Sequence, residues 1–248
     1  MTITHILLDI EGTTCPVSFV ADVLFPYARN ALAEFLEANA ADSDIQALVR
    51  QVQQAWRDDQ HPQAVEERHR LTEPMKITDV VPYLQGLIDR DVKLTALKDL
   101  QGLIWRAGYS SGQLIAPLFH DIPSALQRWH QQGFALAVYS SGSIAAQQLL
   151  YGHCQAGDLR PLFSHWFDTR IGPKQNAMSY TLIAQQMQVE PQRVLFISDA
   201  IAELEAADGA GMAVLFSDRE GNPARESGRF ERIGDFHSLD PGHAPQRP

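Results

Sequence analysis

Asp9 and Glu11 stand two residues apart where the apolar run of "HILLDIEGTT" (residues 5–14) stops and a Gly-Thr-Thr turn begins. On an extended chain, side chains two apart point the same way, so both carboxylates can face one site. Further polar groups follow later apolar runs. They are the Ser-Ser-Gly-Ser sequence at 140–143, Lys174 at the end of "FDTRIGPK", and Asp199 with Glu203 in the next helical turn. Taken singly, each has a plainer reading: an acid in a turn, a polar loop, a solvated amine, the acidic first turn of a helix. Taken in this order, they form the inventory for phosphoryl transfer to an aspartate.

A carboxylate can attack phosphorus and form an aspartyl-phosphate, dividing a difficult hydrolysis into two displacements. An anion approaching a phosphate dianion needs its charge neutralised. Magnesium, a hard cation that takes oxygen ligands, can do this, with Asp9 and Asp199 as donors. Lys174 adds a positive charge between nucleophile and phosphate. Serine hydroxyls and the backbone N–H groups of a Gly-containing turn bind phosphoryl oxygens. Glu11, two residues past the nucleophile, can protonate the leaving oxygen and then activate water. The serine cluster is not a G-x-S-x-G nucleophile elbow, because Tyr139 and Ser140 fill the upstream positions.

These groups need elements that bring them to one edge. The runs at 3–9, 134–140, 193–198 and 212–216 are short, apolar and bounded by polar or Gly positions, and another lies near "HWFD". Runs of this kind suit strands buried on both faces of a parallel sheet. Between them lie helical patterns: Tyr180, Ile183, Ala184 and Met187 share one face, and Gly211 closes an Ala-rich segment as a C-terminal cap. The alternation predicts an α/β doubly wound parallel sheet, whose ligands bind beyond the carboxyl ends of the strands. From about 19 to 115 only helix signals occur. Pro26 opens a helix with Leu24, Tyr27, Ala28, Ala31 and Phe35 on one face, Asp42 and Ser43 offer caps for the next, and a third runs through "TALKDLQGLIW". The expected organisation is therefore a core of residues 1–18 and 116–248 with an inserted helical cap of residues 19–115. The Pro-rich "DPGHAPQRP" at the C-terminus reads as a loose tail.

Composition bounds the function. The chain has 248 residues, 45% hydrophobic, with 30 acids against 20 Lys and Arg and a formal charge of −10. That disfavours a general nucleic-acid or anionic-membrane binder but allows a small anionic substrate in a locally positive site. Cys15 and Cys154 are too few for a disulfide framework and read as buried thiols. The first apolar run is stopped by Asp9, so no signal peptide is expected, and no run reaches the ~18 apolar residues of a membrane helix. A cytoplasmic enzyme follows, and a monomer, since no coiled-coil seam is present. A receiver-like signalling domain also phosphorylates an Asp, but such domains are about half this length and lack a helical insertion. The nine histidines are scattered and make no metal motif.

The order of motifs resembles the haloacid dehalogenase-like superfamily. There the nucleophile motif is usually Asp-x-Asp; here it is Asp9-Ile10-Glu11. "DIEGTT", "LFPY" (24–27), "LKDLQGLIWRAGY" (97–109), "VYSSGSIAAQQLLYG" (138–152), "FDTRIGPK" (167–174) and "FISDAIAELEAADGAGM" (196–212) resemble its enolase-phosphatase branch. The likeness runs from about His5 to Phe216 and leaves out the tail after about 235. It implies an α/β core with a helical cap over the site and one magnesium ion per chain. It also implies enolisation of 2,3-diketo-5-methylthiopentyl-1-phosphate, then dephosphorylation to acireductone. On this resemblance Asp9 is nucleophile and metal ligand, and Glu11 is the acid/base, its backbone carbonyl also meeting the metal. Ser140 and Ser141 bind phosphate with Lys174, Asp199 is the last metal ligand, and Glu203 supports from behind. Another phosphatase of the superfamily, acting on a different small phosphate ester, is the alternative. Glu11 is one candidate for the enolisation base, with His69, Lys98 and Tyr109 of the cap as others. Residues 105–113 are expected to act as a hinge through Gly108 and Gly112, and an apolar cap pocket is expected for the methylthio end.

Overall fold

The apolar runs become strands because they can be buried on both faces and paired on both edges. The computed structural model of the protein describes residues 2–71 and 75–243. Its strands are β1 (His5–Leu8), β2 (Ala135–Tyr139), β3 (Phe163–Phe167), β4 (Val194–Ser198), β5 (Ala213–Ser217) and β6 (Arg232–Ile233), in the order β3-β2-β1-β4-β5-β6. Every pairing is parallel, with Leu7 opposite Ala137 on one side and Phe196 on the other. Residues Val194–Ser198 are buried throughout, which explains an apolar run without alternation. The short β6 has no apolar run in the sequence and was not anticipated.

The chain divides into two compact units, Met1–Val20 with Ile115–Pro248, and Ala21–Leu114. The sheet and helices α6 (Ile122–Gln131), α7 (Ile144–Gly152), α8 (Ala177–Gln186) and α9 (Ile201–Gly209) lie in the first. Tyr180, Ile183, Ala184 and Met187 are all buried against Leu7, Phe196 and Phe216 in one core. Gly211 takes φ +97 just past α9, where its N–H bonds the Asp208 carbonyl.

The second unit is helical: α1 (Phe25–Ala38), α2 (Ser43–Asp58), α3 (Pro62–His69), α4 (Val81–Asp89) and α5 (Thr95–Ser110). Asp42 caps α2, accepting the N–H groups of Asp44 and Ile45. Helix α1 is rotated from its expected face. Ala28, Leu32 and Leu36 are fully buried, while Tyr27, Ala31 and Phe35 are only half-buried at the edge of the same core. The apolar stripe is wider than the expected face, and its centre lies along the Leu32 side. Gly108 also departs from expectation. It is helical rather than hinge-like, and a Cβ there would stand 2.7 Å from the Tyr27 ring, so the glycine admits a close approach. Gly112, at φ +77 in open space, does take the left-handed conformation.

The chain is docked just before the "DPGHAPQRP" tail, and within that tail Pro241 is buried at the start of a short 3-10 turn, Pro241–His243. Phe236 is fully buried against Trp129, with ring centroids 5.4 Å apart. The Leu239 carbonyl accepts bonds from the Arg128 guanidinium and the Trp129 indole N–H. One large aromatic anchor and satisfied backbone carbonyls dock a segment whose composition reads as coil. Residues 244–248 of that tail lie outside the described residues.

Candidate active site

Strand ladders carry the reactive groups to the carboxyl edge. The Asp9 N–H continues the β1 ladder by bonding the Ile197 carbonyl of β4 at 3.0 Å, and the Ser140 N–H bonds the Phe167 carbonyl of β3 at 3.2 Å. Beyond Asp9 the chain folds back sharply. The Ile10 carbonyl accepts the N–H groups of Thr13, Thr14 and Cys15, at 3.1, 2.8 and 3.0 Å. Gly12 takes φ +73 there, and a Cβ on it would lie 2.1 Å from Asp199 Oδ2. Only a glycine lets the turn after β1 close onto the aspartate after β4.

Lys174 is not a solvated amine. Its side chain is 10% exposed, and Nζ lies 2.5 Å from Asp9 Oδ1 and 2.7 Å from Glu203 Oε2. Its carbonyl accepts the Tyr180 hydroxyl at 2.8 Å, and the ammonium stands 5.7 Å from the Tyr139 ring centroid. Glu203 Oε2 also accepts the Ser198 hydroxyl at 3.0 Å. Glu203 therefore touches the lysine that touches Asp9.

The two serines after β2 differ. Ser140 is fully buried; its hydroxyl donates to Glu11 Oε2 at 3.4 Å and accepts the Gly142 N–H at 3.1 Å. Ser141 is exposed. Gln147 of α7 braces this turn, its side-chain amide donating to the carbonyls of Gly142 and Phe167, each at 2.8 Å. Among the other acid/base candidates, His69 and Lys98 are exposed on α3 and α5, and Tyr109 is buried in α5.

The site's electrostatics follow from crowding carboxylates in a poorly hydrated place. Burial, then the Asp9 charge, pushes Asp199 up to about 7, with Lys174 opposing. Burial and Asp9 push Glu203 up to about 7 in the same way. Glu11 is raised by burial and by Asp9, against its bonds and the Lys174 charge. Burial works against the charge on Lys174, but Asp9 and Glu203 outweigh it and hold its pKa above the ordinary lysine value. Asp9, Glu11, Asp199 and Glu203 thus share one ammonium, and the surplus of negative charge suits a further cation.

The donors available are carboxylate and carbonyl oxygens, which suit a hard divalent ion. Among the described residues no three His, Cys, Asp or Glu side chains are disposed to ligate one ion. Magnesium needs only one or two protein carboxylates and keeps several waters, so Asp9 and Asp199 with the Glu11 carbonyl are an adequate set. The close approach at Gly12 fits that grouping.

Sequence reading missed Ser198, Gln147 and Asn222. Asn222 is 7% exposed, and its amide donates to the Gly12 carbonyl at 2.9 Å. No local pattern marks it, because its partner lies in the turn after β1.

The chain is similar in sequence and in fold to known proteins. The haloacid dehalogenase-like hydrolase family is matched by residues 3–211. A protein of Synechococcus sp. (strain CC9902) named Enolase-phosphatase E1 is 51% identical over 226 residues, 90% of this chain and 92% of the relative. A protein of the same name from Synechococcus sp. (strain RCC307) is 48% identical over 97% of this chain and 95% of its own. The crystal structure of the UTR4 protein of Saccharomyces cerevisiae has a TM-score of 0.77 at 31% identity, covering 96% of this chain and 100% of that one. At 19% identity, the CbbY structure from Rhodobacter sphaeroides with xylulose-1,5-bisphosphate shares the fold, with a TM-score of 0.55 over 96% of both chains.

Proposed function

The chain belongs to the haloacid dehalogenase-like hydrolase family, and we propose that it works there as an enolase-phosphatase of methionine salvage. It enolises 2,3-diketo-5-methylthiopentyl-1-phosphate and hydrolyses the product's phosphate ester to acireductone. The Lys174 ammonium held between Asp9 and Glu203, with Asp199 pressed against the Gly12 turn, carries the phosphoryl-transfer reading, and the 51% identity to a protein named Enolase-phosphatase E1 carries the substrate.

In this reading Asp9 attacks phosphorus; the Asp9–phosphorus bond forms as the ester P–O bond breaks. Glu11, whose burial beside Asp9 favours its protonated form, gives its proton to the leaving oxygen. The Glu11 carboxylate then takes a proton from water, which attacks phosphorus and frees Asp9. Lys174 fixes the Asp9 carboxylate and offsets charge as the two anions meet. Ser140, Ser141 and the N–H groups of their turn hold phosphoryl oxygens. Asp9, Asp199 and the Glu11 carbonyl would hold one magnesium ion, which would supply charge neutralisation at phosphate and enolate. For enolisation, a proton leaves the carbon bearing the ester oxygen and the neighbouring carbonyl oxygen gains one; Glu11 serves as base. Glu203 holds Lys174 rather than the metal. The division into a core of residues 1–18 and 116–248 and a cap of residues 19–115 belongs to this proposal, the cap selecting the substrate. The enzyme is a cytoplasmic monomer, and no helix among the described residues is long and apolar enough to cross a membrane.

The test adds the diketone phosphate with magnesium and follows enol absorbance, then phosphate release, beside a panel of other small phosphate esters. The expected result is both signals in sequence, with Asp9→Asn abolishing release and Glu11→Gln slowing enolisation. Hydrolysis by Asp9→Asn at the parent rate rejects the covalent route. Faster turnover of another ester, with no enol signal, replaces the substrate.

A further inference from the structure

Three polar side chains leaving β5 grip the turn after β1, although none belongs to the motifs that do the chemistry. The Gly12 carbonyl accepts the Asn222 amide at 2.9 Å and the Ser217 hydroxyl at 3.0 Å. The Thr13 carbonyl accepts Arg219 Nε–H at 3.2 Å. Ser217, Arg219 and Asn222 are all buried, at 0, 3 and 7% exposure. Such donors cannot be replaced by water at low cost, so the turn is held in one place.

Arg219 is itself built into a rigid mount. Its guanidinium bonds both Asp121 carboxylate oxygens, at 3.1 and 2.9 Å, and the Gly234 carbonyl at 2.9 Å. It lies 4.7 Å from the Phe119 ring centroid and 4.5 Å from that of Phe236. Asp121 Oδ2 also accepts the Phe236 N–H at 2.6 Å. A buried ion pair is weak evidence for stability, since apolar residues of like volume often do as well. What this pair does supply is a fixed direction for the remaining Nε–H, which goes to the reactive turn.

The grip matters because of what Gly12 touches. The position of a Gly12 Cβ is 2.1 Å from Asp199 Oδ2 and 3.0 Å from Asn222 Nδ2, so amide and carboxylate flank the same backbone. If the turn slips, the separation of Asp9 from Asp199 changes with it. We infer that Ser217, Arg219 and Asn222 are positioning residues that set the spacing between the Asp9 turn and Asp199 for cation binding and phosphoryl transfer. This rests on the reading that Asp9 and Asp199 hold the divalent cation.

The test measures magnesium binding by calorimetry without substrate, and kcat and KM for phosphate release, on the full chain. Parent, Asn222→Ala, Ser217→Ala and the double variant are compared. Ser217→Ala deletes one oxygen and folds even if Asn222→Ala does not. Ile183→Val, a core change under α8, is the control for lost stability alone. The expected result is a rise of about tenfold in the magnesium dissociation constant for Asn222→Ala, with a fall of about 10- to 100-fold in kcat. Ser217→Ala shows a smaller change in both, the double variant exceeds either, and Ile183→Val shows none. If every variant that folds keeps the parent's magnesium affinity and kcat within twofold, the positioning role is wrong. A parent that turns over yet binds no magnesium overturns the metal reading instead, and kcat then judges the grip by itself.

Discussion

Gly12→Ala isolates the contact on which the site's assembly depends. A carbon needs about 3.3 Å from an oxygen, and the new Cβ would lie 2.1 Å from Asp199 Oδ2. Turn or carboxylate must therefore move by about 1.2 Å to reach ordinary contact. Misplacement by about 1 Å at a reacting centre lowers rate by about 100-fold. A second effect comes from the backbone: at φ +73, an L side chain adds about 1–2 kcal/mol of strain. For a chain of this size that lowers Tm by about 2–8 °C. Gly133→Ala separates the two effects. Gly133 has φ +88 with nothing within 4 Å of a Cβ, so it carries the strain without the collision. Phosphate release under saturating magnesium, well below each variant's Tm, is the assay. Gly12→Ala should lose about 100-fold in kcat/KM, while Gly133→Ala keeps it and loses a similar part of its Tm. Equal activity in the two variants would show that the approach of Gly12 to Asp199 does not govern the chemistry.

Four further outcomes are expected. Lys174→Met leaves Asp9 and Glu203 facing each other without their cation, so phosphate release should drop about 100- to 1,000-fold, and thermal melts at neutral pH should show reduced stability. Glu203→Gln keeps an acceptor for Ser198 but loses the charge that holds Lys174; kcat should fall about tenfold with KM little changed, read by steady-state kinetics. Burial opposes the Asp121 charge, but the Arg219 guanidinium and the Phe236 N–H outweigh it and hold its pKa below the usual range. A depressed carboxylate stabilises the fold above its unfolded pKa of about 3.9 and loses that contribution as pH falls through the folded value. The parent's advantage over Asp121→Asn in urea unfolding should thus be constant above about pH 5 and shrink toward pH 2. Phe236→Ala should lower unfolding free energy by about 3–5 kcal/mol, read by urea unfolding; a loss under about 1 kcal/mol would show that Phe236 does not dock its segment.

What could be read along the chain followed from local physics. Unalternated apolar runs require burial on both faces, so the parallel sheet at 3–9, 134–140, 193–198 and 212–216 was legible, and the edge where ligands gather came with it. Asp9, Glu11, Lys174 and Asp199 were legible because each follows such a run and bears a charge. Helix α1 was legible as a helix but not in its rotation, since Leu32 and Leu36 extend its apolar stripe beyond the Tyr27, Ala31 and Phe35 face.

Contacts between distant segments needed the fold. Glu203 reads as an acidic first turn until the fold sets it 2.7 Å from Lys174. Ser140 and Ser141 are chemically identical, and only burial separates the one bonded to Glu11 from the one facing solvent. Asn222 and Arg219 lie in an unpatterned loop more than 200 residues from the carbonyls they hold. Periodicity and spacing report the forces a residue feels from its neighbours in sequence, and so they determined the sheet, the helices and the candidate acids. Orientation, burial and charge pairing depend on groups that meet only when the chain closes, and so the tertiary structure alone decided which of those candidates lie together.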